Sequence, residues 1–440
     1  MEFKRFADEF GACPAPLPRP LRVLLLLGSL HGGGAERVAV QLLRGLDPAR
    51  FDVAMGLLRA AGPYLAEADA SRVMAAPRGE RFDFDGPGRA LLRPAKLLNG
   101  AIAAPRAFRA MIEEFRPDVV LSFLKGTNLI AWRALAGLSG DRPRWIAREG
   151  NNVLAVIADE TPGPLAARAV RALTARAYTR ADRVLTLSAG LAGDIARDLS
   201  LDPGKIAWIP NPVDIARVRQ RADEPLPDPG SDPPTRPFVL AAGRLERQKG
   251  HDLLLRAYAA CGAAASHDLV ILGQGSLASD LSAQAERLGI ARQVRFAGFA
   301  ANPFAWMAKC ALFVLPSRWE GFGSVLAEAM AAGAPVLAAD CDYGPREIVA
   351  HGETGWLVPV ADQAALGAAM QRLLGDPGLR ERLAEAGQAS AERFALPVIL
   401  ERYGALLEAV GRGGERAERQ RAARPEGGWP SAAFGSTGSA

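Results

Sequence analysis

The sequence predicts an α/β protein with two domains in tandem, each built on a doubly wound parallel sheet. Its 440 residues exceed the usual size of one hydrophobic core, so two domains are expected. Apolar runs of strand length alternate with helical patterns in both halves, which is typical of parallel sheets flanked by helices. A Pro- and Gly-rich stretch at 222–237 separates the two series and predicts a linker or exposed loop.

The first series of elements begins with the apolar run at 21–30, which predicts a strand buried on both faces. A glycine loop, HGGGAER at 31–37, then opens a helix with apolar residues on one side. Later apolar runs of similar length predict further strands at 51–58, 117–123, 143–148 and 181–188.

The second series follows the linker and ends in a helix that starts after Arg393. Its five predicted strands lie at 238–245, 267–273, 294–299, 310–317 and 334–340. The first 20 residues are Pro-rich, which predicts an arm, and residues 412–440 are rich in Gly, Arg, Ala and Ser, which predicts disorder. The predicted division is an arm at 1–20, a first domain at 21–212, a second domain at 213–393, a helix at 394–411 and a disordered tail at 412–440.

The composition limits the classes of partner and compartment. The formal net charge of +5 favours an anionic partner, such as a phosphate-bearing substrate or an acidic membrane surface, but is too small to indicate nucleic acid. The four cysteines form no C-x-x-C pair, which fits a reducing cytosol. The apolar run at 21–30 is far shorter than the roughly 18 to 20 apolar residues that cross a bilayer, so an integral membrane protein is not expected.

The glycine loop at 31–37 is the first candidate for binding a phosphate. Glycines between a strand and a helix let backbone N–H groups approach a phosphate near the positive end of the helix dipole. The loop lacks the G-x-G-x-x-G spacing, and the second strand ends in Leu57, Leu58 and Arg59 without an acid for a ribose. A nicotinamide enzyme is therefore not expected; the alternative for the loop is a tight turn without a ligand.

Two cations follow the first strand of the second series. Arg244 and Lys249 lie in the loop after the strand at 238–245, at the carboxyl edge where parallel sheets bind ligands. An arginine can donate to two oxygens at once, and a lysine acts as a point charge, so the pair suits a diphosphate. The alternative is a solvated basic loop.

Two acids frame a glycine loop at 317–330, SRWEGFGSVLAEAM. Glu320 lies in the loop and Glu328 about one turn inside the helix that follows, with Ser324 as the expected N-cap and Gly333 as the expected stop. Gly321 leaves the neighbouring amides free to meet a phosphate or a sugar oxygen. The two acids can accept hydrogen bonds from separate sets of hydroxyls. The alternative is that Glu328 only complements the helix dipole and Glu320 is a surface acid.

The stretch EGFGSVLAE resembles the E-x7-E element of the retaining glycosyltransferases of family 4, also called group 1. The surrounding motifs match in order and spacing: GRLERQKG, ILGQG, RFAGF, EAMAAGAPVLAAD, GPREI and GETGWLVP. GGGAERV and IPNPVD resemble bacterial members that build lipid-linked oligosaccharides and surface polysaccharides. The resemblance covers roughly residues 21–410 and implies the GT-B fold, in which two Rossmann-like domains face each other across a cleft.

The resemblance also implies roles for individual residues. It makes Glu320, Arg244 and Lys249 the catalytic set, with Glu320 on the hydroxyls of the transferred sugar and the two cations on the diphosphate. It gives Glu328 to the donor ribose and the backbone near Phe299 to the base. The remaining implied donor-binding residues are Gly33, Gly34, Gly273, Gly321, Phe322, Gly323 and Ser324.

The implied reaction moves a hexose or N-acetylhexosamine from a nucleotide sugar, expected to be UDP-linked, to a membrane-associated glycolipid or a lipid-diphosphate-linked saccharide. Retention of anomeric configuration is expected, without a cofactor or metal. Several relatives carry a histidine near the anomeric carbon, but the corresponding stretch at 121–128 has none. Either Lys125 or the REGNN stretch at 148–152 is expected to supply this polar contact.

Three alternatives stay open at this point. The pair Asp340 and Asp342 forms a D-x-D, which binds metal in a different glycosyltransferase fold, although short acid pairs are common. The protein could instead be a sugar-nucleotide epimerase or a non-catalytic sugar-nucleotide-binding protein of the same fold.

The expected location is cytoplasmic. The helix with Arg168, Arg171, Arg176 and Arg180 is either a solvated face or a surface that lies on anionic lipid at the inner face of the plasma membrane.

Overall fold

A computed structural model describes residues 19–31, 33–76, 94–139, 142–226, 234 and 236–422. The predicted arm at 1–20 lies almost wholly outside the described residues, as do 423–440 of the predicted tail and half of the predicted linker. The described cysteines Cys261, Cys310 and Cys341 are free thiols.

The first domain is built on a seven-stranded parallel sheet with the order β3-β2-β1-β4-β5-β6-β7. In the centre, Leu25 of β1 is aligned with Met55 of β2 on one side and Leu121 of β4 on the other. The strands are β1 Leu21–Leu27, β2 Phe51–Leu57, β3 Val73–Ala75, β4 Val119–Phe123, β5 Arg144–Arg148, β6 Arg183–Thr186 and β7 Ile206–Trp208.

The second domain is built on a six-stranded parallel sheet with the order β10-β9-β8-β11-β12-β13. Two parallel doubly wound sheets are what the alternating sequence predicts, and this part of the prediction is confirmed. The strands are β8 Phe238–Ala242, β9 Asp268–Leu272, β10 Val294–Gly298, β11 Leu312–Leu315, β12 Val336–Ala339 and β13 Trp356–Val358.

Helices cover both faces of each sheet. Fifteen α-helices lie within the described residues; in chain order they are α1 Gly34–Gly45, α2 Pro94–Phe115, α3 Lys125–Ala136, α4 Val153–Glu160, α5 Pro164–Thr179, α6 Ala189–Leu199, α7 Ile215–Ala222, α8 His251–Ala260, α9 Ala278–Arg287, α10 Pro303–Lys309, α11 Ser324–Ala331, α12 Pro345–Ile348, α13 Gln363–Gly375, α14 Pro377–Ala391 and α15 Leu396–Ala422. None of these described helices combines the length and the apolar composition needed to cross a bilayer.

The continuous apolar run of β1 supplies two hydrophobic cores at once. Val23 and Leu25 point to one face of the sheet, and Leu24 and Leu26 point to the other, because successive side chains of a strand alternate. All four are fully buried. A central parallel strand therefore has no polar face, as the sequence predicts.

The last helix, α15, returns from the second domain to the first. Its apolar residues Ile399, Tyr403, Leu406 and Leu407 share one face at helical spacing and pack into the core beside β1 and β2. The helix continues to Ala422, past the predicted end at 411, so the start of the predicted disordered tail is helical. The reason is that 412–422 is rich in Arg, Glu, Ala and Gln, whose helix propensity outweighs the glycines there.

Three strands were not predicted: β3, β7 and β13. Each has three residues and lies at the edge of a sheet. An edge strand of this length has one neighbour and needs no long apolar run, so the sequence carries little signal for it. The ten predicted strands are all present.

Candidate active site

The two domains touch through the loops at the carboxyl edges of their sheets. Gly321, in the loop after β11, lies against the carbonyl oxygen of Gly150, in the loop after β5. A Cβ atom on Gly321 would lie 1.8 Å from that oxygen, so only glycine allows this approach. The loops predicted to bind a ligand therefore face the first domain across a narrow cleft.

Glu320 and Lys249 form the centre of the site. The Glu320 carboxylate is 6% exposed, and its Oε1 accepts hydrogen bonds from Lys249 Nζ at 2.6 Å and from Ser317 Oγ at 2.6 Å. Lys249 reaches it from the loop after β8, which lies next to β11 in the sheet. The structure thus brings together two of the three residues predicted to be catalytic.

Arg244 lies farther out on the same loop. Its guanidinium donates to Gln248 Oε1 at 3.1 Å, and Gln248 Nε2 donates to the carbonyl oxygen of Trp319 at 3.0 Å. Arg244 is thus linked to the Glu320 loop through Gln248 and does not bond Glu320 itself. The Arg244 side chain is exposed to solvent.

Glu328 lies in helix α11, and its side chain is 12% exposed. Its carboxylate accepts a hydrogen bond from Arg37 Nη1 of helix α1, in the other domain, and Arg37 Nε donates to Tyr64 Oη at 3.1 Å. The Glu328 carboxylate raises the pKa of the Arg37 guanidinium above its ordinary value, against the opposing effect of burial. Sequence reasoning missed Arg37, although it ends the HGGGAER loop that was singled out.

A cavity of about 620 Å³ opens beside Glu328 and Arg37, between the two domains. Phe299, which follows β10, lines this cavity with a side chain that is 77% exposed. Tyr64 lines the opposite wall from the first domain. Glu328 and Phe299, both predicted donor-binding residues, therefore share one space.

Helix α11 begins differently from the prediction. The N-cap is Gly323, in the left-handed region at φ +84°, and Ser324 is the first helical residue rather than the cap. Glycine adopts this left-handed backbone conformation without steric cost, so the chain passes directly from the loop into the helix. The Ser324 hydroxyl instead accepts a hydrogen bond from Asn211 Nδ2 of the first domain at 2.9 Å. The helix ends at Ala331, ahead of Gly333, as predicted.

The other predicted donor-binding residues divide into two groups. Gly33 is the N-cap of helix α1 and Gly34 its first residue; Gly34 lies near Asn211, whereas Gly33 lies near Glu36 of the same helix. Gly273 packs against the Gly243 backbone under the loop that carries Arg244, and the Phe322 side chain is buried edge-on against Phe394 at 5.3 Å. Gly273 and the Phe322 ring therefore shape the loops and do not themselves line the cavity beside Glu328.

The loop after β5 is held by a buried carboxylate. Glu149 Oε2 accepts from Tyr178 Oη at 2.7 Å, and Oε1 accepts from the backbone N–H groups of Gly150 at 2.9 Å and Asn151 at 3.3 Å. Burial raises the pKa of the Glu149 carboxyl, and these hydrogen bonds oppose the rise. The other candidate for this region, Lys125, forms an ion pair with Glu160 at 2.8 Å.

Further contacts join the domains on one side of the cleft. The Glu347 carboxylate accepts from the backbone N–H groups of Ala189 at 3.3 Å and Gly190 at 3.2 Å, at the start of helix α6. Tyr343 Oη accepts from Asn152 Nδ2 at 2.9 Å and donates to Asp194. In the predicted D-x-D, the Asp340 carboxylate is paired with Arg346 at 2.9 Å.

Two family models match almost the whole described chain. Residues 32–217 match the model described as Glycosyltransferase Family 4, and residues 224–390 match the model described as Glycosyl transferases group 1. The boundary between the two matches falls at the end of helix α7. The resemblance found in the motifs is thereby confirmed.

Curated relatives and solved structures agree with these two family matches. The N-acetylgalactosamine-N,N'-diacetylbacillosaminyl-diphospho-undecaprenol 4-alpha-N-acetylgalactosaminyltransferase of Campylobacter jejuni is 28% identical over 371 residues, covering 84% of this chain and 94% of that protein. The lipopolysaccharide core biosynthesis glycosyltransferase LpsE of Rhizobium meliloti is 32% identical over 176 residues, covering 40% of this chain and 51% of that protein. HepE of Anabaena in complex with UDP superposes with a TM-score of 0.69 at 20% identity, covering 88% of this chain and 100% of HepE. WaaG, a glycosyltransferase involved in lipopolysaccharide biosynthesis, superposes with a TM-score of 0.65 at 19% identity, covering 88% of this chain and 99% of WaaG. The predicted two-domain GT-B fold is confirmed.

Proposed function

Because the chain belongs to the glycosyltransferases, with a family 4 domain followed by a group 1 domain, we propose that it transfers a hexose or N-acetylhexosamine from a UDP-sugar to a lipid-linked saccharide or glycolipid. The donor proposal is supported by HepE, whose structures hold UDP and UDP-glucose. The acceptor proposal is supported by the Campylobacter jejuni relative, whose name places its acceptor on diphospho-undecaprenol.

The observation that carries the proposal is the buried pair of Glu320 and Lys249 at the start of helix α11. A carboxylate that accepts hydrogen bonds can orient sugar hydroxyls, and an ammonium group beside it can stabilise the leaving diphosphate. The start of α11 adds backbone N–H groups and the positive end of the helix dipole. A sugar attached to a diphosphate matches this order of groups.

The rest of the donor would extend along α11 toward Glu328 and the cavity beside it. In this proposal the ribose hydroxyls donate to Glu328, and the base occupies the cavity lined by Phe299 and Tyr64. Arg37 pairs with the Glu328 carboxylate, so a ribose that bonds Glu328 would compete with Arg37. Arg244 would meet the diphosphate from the exposed side.

We propose that the reaction retains the anomeric configuration through attack on the face that the leaving group vacates. The bond between the anomeric carbon and the diphosphate oxygen breaks, the acceptor oxygen bonds that carbon, and the acceptor proton passes to the departing phosphate. A double displacement would need a carboxylate free to act as a nucleophile. Glu320 already accepts from an ammonium group and a hydroxyl, which disfavours that role. No cofactor or metal is part of the proposal.

We further propose that helix α5 lies on an anionic membrane surface near a lipid-linked acceptor. Arg168, Arg171 and Arg176 are exposed on this helix, as are Leu165 at 84% and Leu173 at 43%. Exposed apolar residues on the same helix as exposed arginines suit a surface with anionic headgroups above an apolar layer. Flotation with vesicles that contain anionic lipid, at low salt, tests this; a protein that floats equally with neutral vesicles, or not at all, contradicts it.

A donor screen tests the main proposal. The full-length protein is incubated with labelled UDP- and GDP-sugars and a bacterial lipid-diphosphate extract. A new labelled glycolipid with a UDP-sugar supports the proposal. Conversion of the free nucleotide sugar to an isomer would indicate an epimerase, and binding without any product would indicate a non-catalytic sugar-nucleotide-binding protein. A glycolipid formed only from a GDP-sugar would overturn the proposed donor.

A further inference from the structure

Arg148 is a fully buried arginine, with 0% of its surface exposed, at the end of β5 and beneath the cleft. Its guanidinium lies over the Phe123 ring at 5.2 Å, and Nε donates to Tyr403 Oη of helix α15 at 2.8 Å. No carboxylate pairs with it among the described residues, and its Nη1 has no hydrogen-bond partner there. Burying a cation without an opposite charge is costly, so the position calls for an explanation beyond packing.

Glu149 does not neutralise Arg148, although the two are adjacent in sequence. Successive side chains of a strand point to opposite faces, so Glu149 meets Tyr178 on one face while Arg148 meets Tyr403 on the other. Within the described part of the chain, the remaining side-chain hydrogen bond of the guanidinium runs from Nη2 to Asn211 Oδ1 at 2.6 Å. Asn211, 6% exposed, is also the residue that bonds Ser324 across the cleft.

Arginine fixes which way the Asn211 amide faces. A guanidinium can only donate hydrogen bonds, so the amide oxygen of Asn211 must turn toward Arg148. The amide nitrogen then points across the cleft, where it can only donate, and the Ser324 hydroxyl accepts at 2.9 Å. A hydroxyl that accepts in this way keeps its own proton available for another acceptor.

We propose that Arg148 and Asn211 are positioning residues that direct the Ser324 hydroxyl proton toward an oxygen of the donor diphosphate or sugar. The hydrogen-bond relay runs from Arg148 to Asn211 to Ser324 and then to the ligand, with every donor pointing in one direction. Ser324 begins helix α11, where the donor is proposed to bind, so this inference rests on the proposed function for its ligand. The relay also joins the first domain to the loop of the second.

Asn211→Asp separates this role from a structural one. The aspartate still accepts from Arg148 and would pair with its charge, so the fold is expected to be at least as stable. It has no proton to give Ser324, whose hydroxyl would then donate to the aspartate and turn away from the ligand. We expect the donor KM to rise about tenfold, as for loss of a hydrogen bond to a charged group, with kcat changed less than about threefold.

Ser324→Ala provides the matched comparison, because it removes the same proton. The relay predicts that the single variants and the double variant Asn211→Asp/Ser324→Ala share about the same rise in donor KM. If the new carboxylate acted instead by repelling the diphosphate, the two effects would multiply to about a hundredfold in the double variant. A rise in donor KM of about a hundredfold in the double variant, or an Asn211→Asp variant with the wild-type donor KM, would overturn the inference.

A second measurement needs no substrate and separates this inference from the proposed function. Amide hydrogen exchange of the ligand-free protein is followed over 324–326 at the start of α11. Asn211→Ala removes the link to Ser324 and is expected to speed exchange there at least about threefold. Ser122→Ala, which removes buried hydrogen bonds on the opposite face of the same sheet, serves as the control. A wild-type protein without transfer activity would defeat the proposed function alone, whereas unchanged exchange in Asn211→Ala would overturn the relay.

Discussion

Replacing Lys249 by methionine tests the central pair of the site in two independent ways. The Lys249 side chain is 15% exposed and that of Glu320 is 6% exposed, so the 2.6 Å contact between them is largely shielded from water. Removing one partner of a buried ion pair leaves the other charge uncompensated, which costs about 3–5 kcal/mol of unfolding free energy. Ser317 still donates to Glu320, so we expect the lower end, about 3 kcal/mol.

The same variant removes the cation proposed to stabilise the leaving diphosphate. Loss of one preorganised electrostatic contact lowers kcat by about 10²–10³. Urea unfolding measures the stability, and initial rates of glycolipid formation measure kcat. Lys309→Met is a matched control, because Lys309 donates to main-chain carbonyl oxygens of Ala222 and Glu224 and pairs with no buried carboxylate among the described residues.

A second change shows whether the stability loss comes from the unpaired carboxylate. Adding Glu320→Gln to Lys249→Met removes the buried negative charge, and most of the lost stability should return. Activity should stay low in the double variant, since both groups of the pair are gone. A Lys249→Met protein with kcat within tenfold of wild type, or a double variant that stays about 3 kcal/mol less stable, would refute the reasoning.

Three further predictions concern the cleft and the second domain. Gly321→Ala places a methyl group against the Gly150 carbonyl oxygen and should lower kcat at least about tenfold by separating the domains. The control Gly28→Ala, which has open space around the new methyl group, should change kcat little. Equal kcat values for the two variants would contradict the close approach of Gly321 to Gly150. Arg37→Gln frees the Glu328 carboxylate and should lower the dissociation constant of UDP about two- to fivefold by calorimetry, as expected for an ion pair whose arginine is 43% exposed; weaker binding would show that Arg37 does more than compete. Burial lowers the pKa of His251 from 6.5 to about 4, so the neutral form is favoured in the fold. Its contribution to stability is complete above pH 6.5 and is lost as the pH falls toward 4, by about 3 kcal/mol relative to His251→Gln; parallel pH profiles of unfolding for the two proteins would contradict this.

The sequence alone determined the local structure and the chemical inventory of the site. Continuous apolar runs such as β1 are typical of central strands in a covered parallel sheet, and parallel strands place their carboxyl ends at one edge. Arg244, Lys249, Glu320 and Glu328 could therefore be placed at a common edge before any coordinates, because they follow two such strands. The short edge strands were missed because their apolar signal is weak. The helical start of the predicted tail was missed because its residues favour a helix by propensity but carry no apolar periodicity.

Only the tertiary structure decided which side chains meet across the cleft. Arg37 and Glu328, or Asn211 and Ser324, are far apart in the chain, and no periodicity relates them. Their contacts depend on how two separately folded sheets are oriented, and helix α15 contributes to that by packing back on the first domain. Local propensity and hydrophobic pattern act over a few residues, whereas the pairing of the two edges is set by packing between domains.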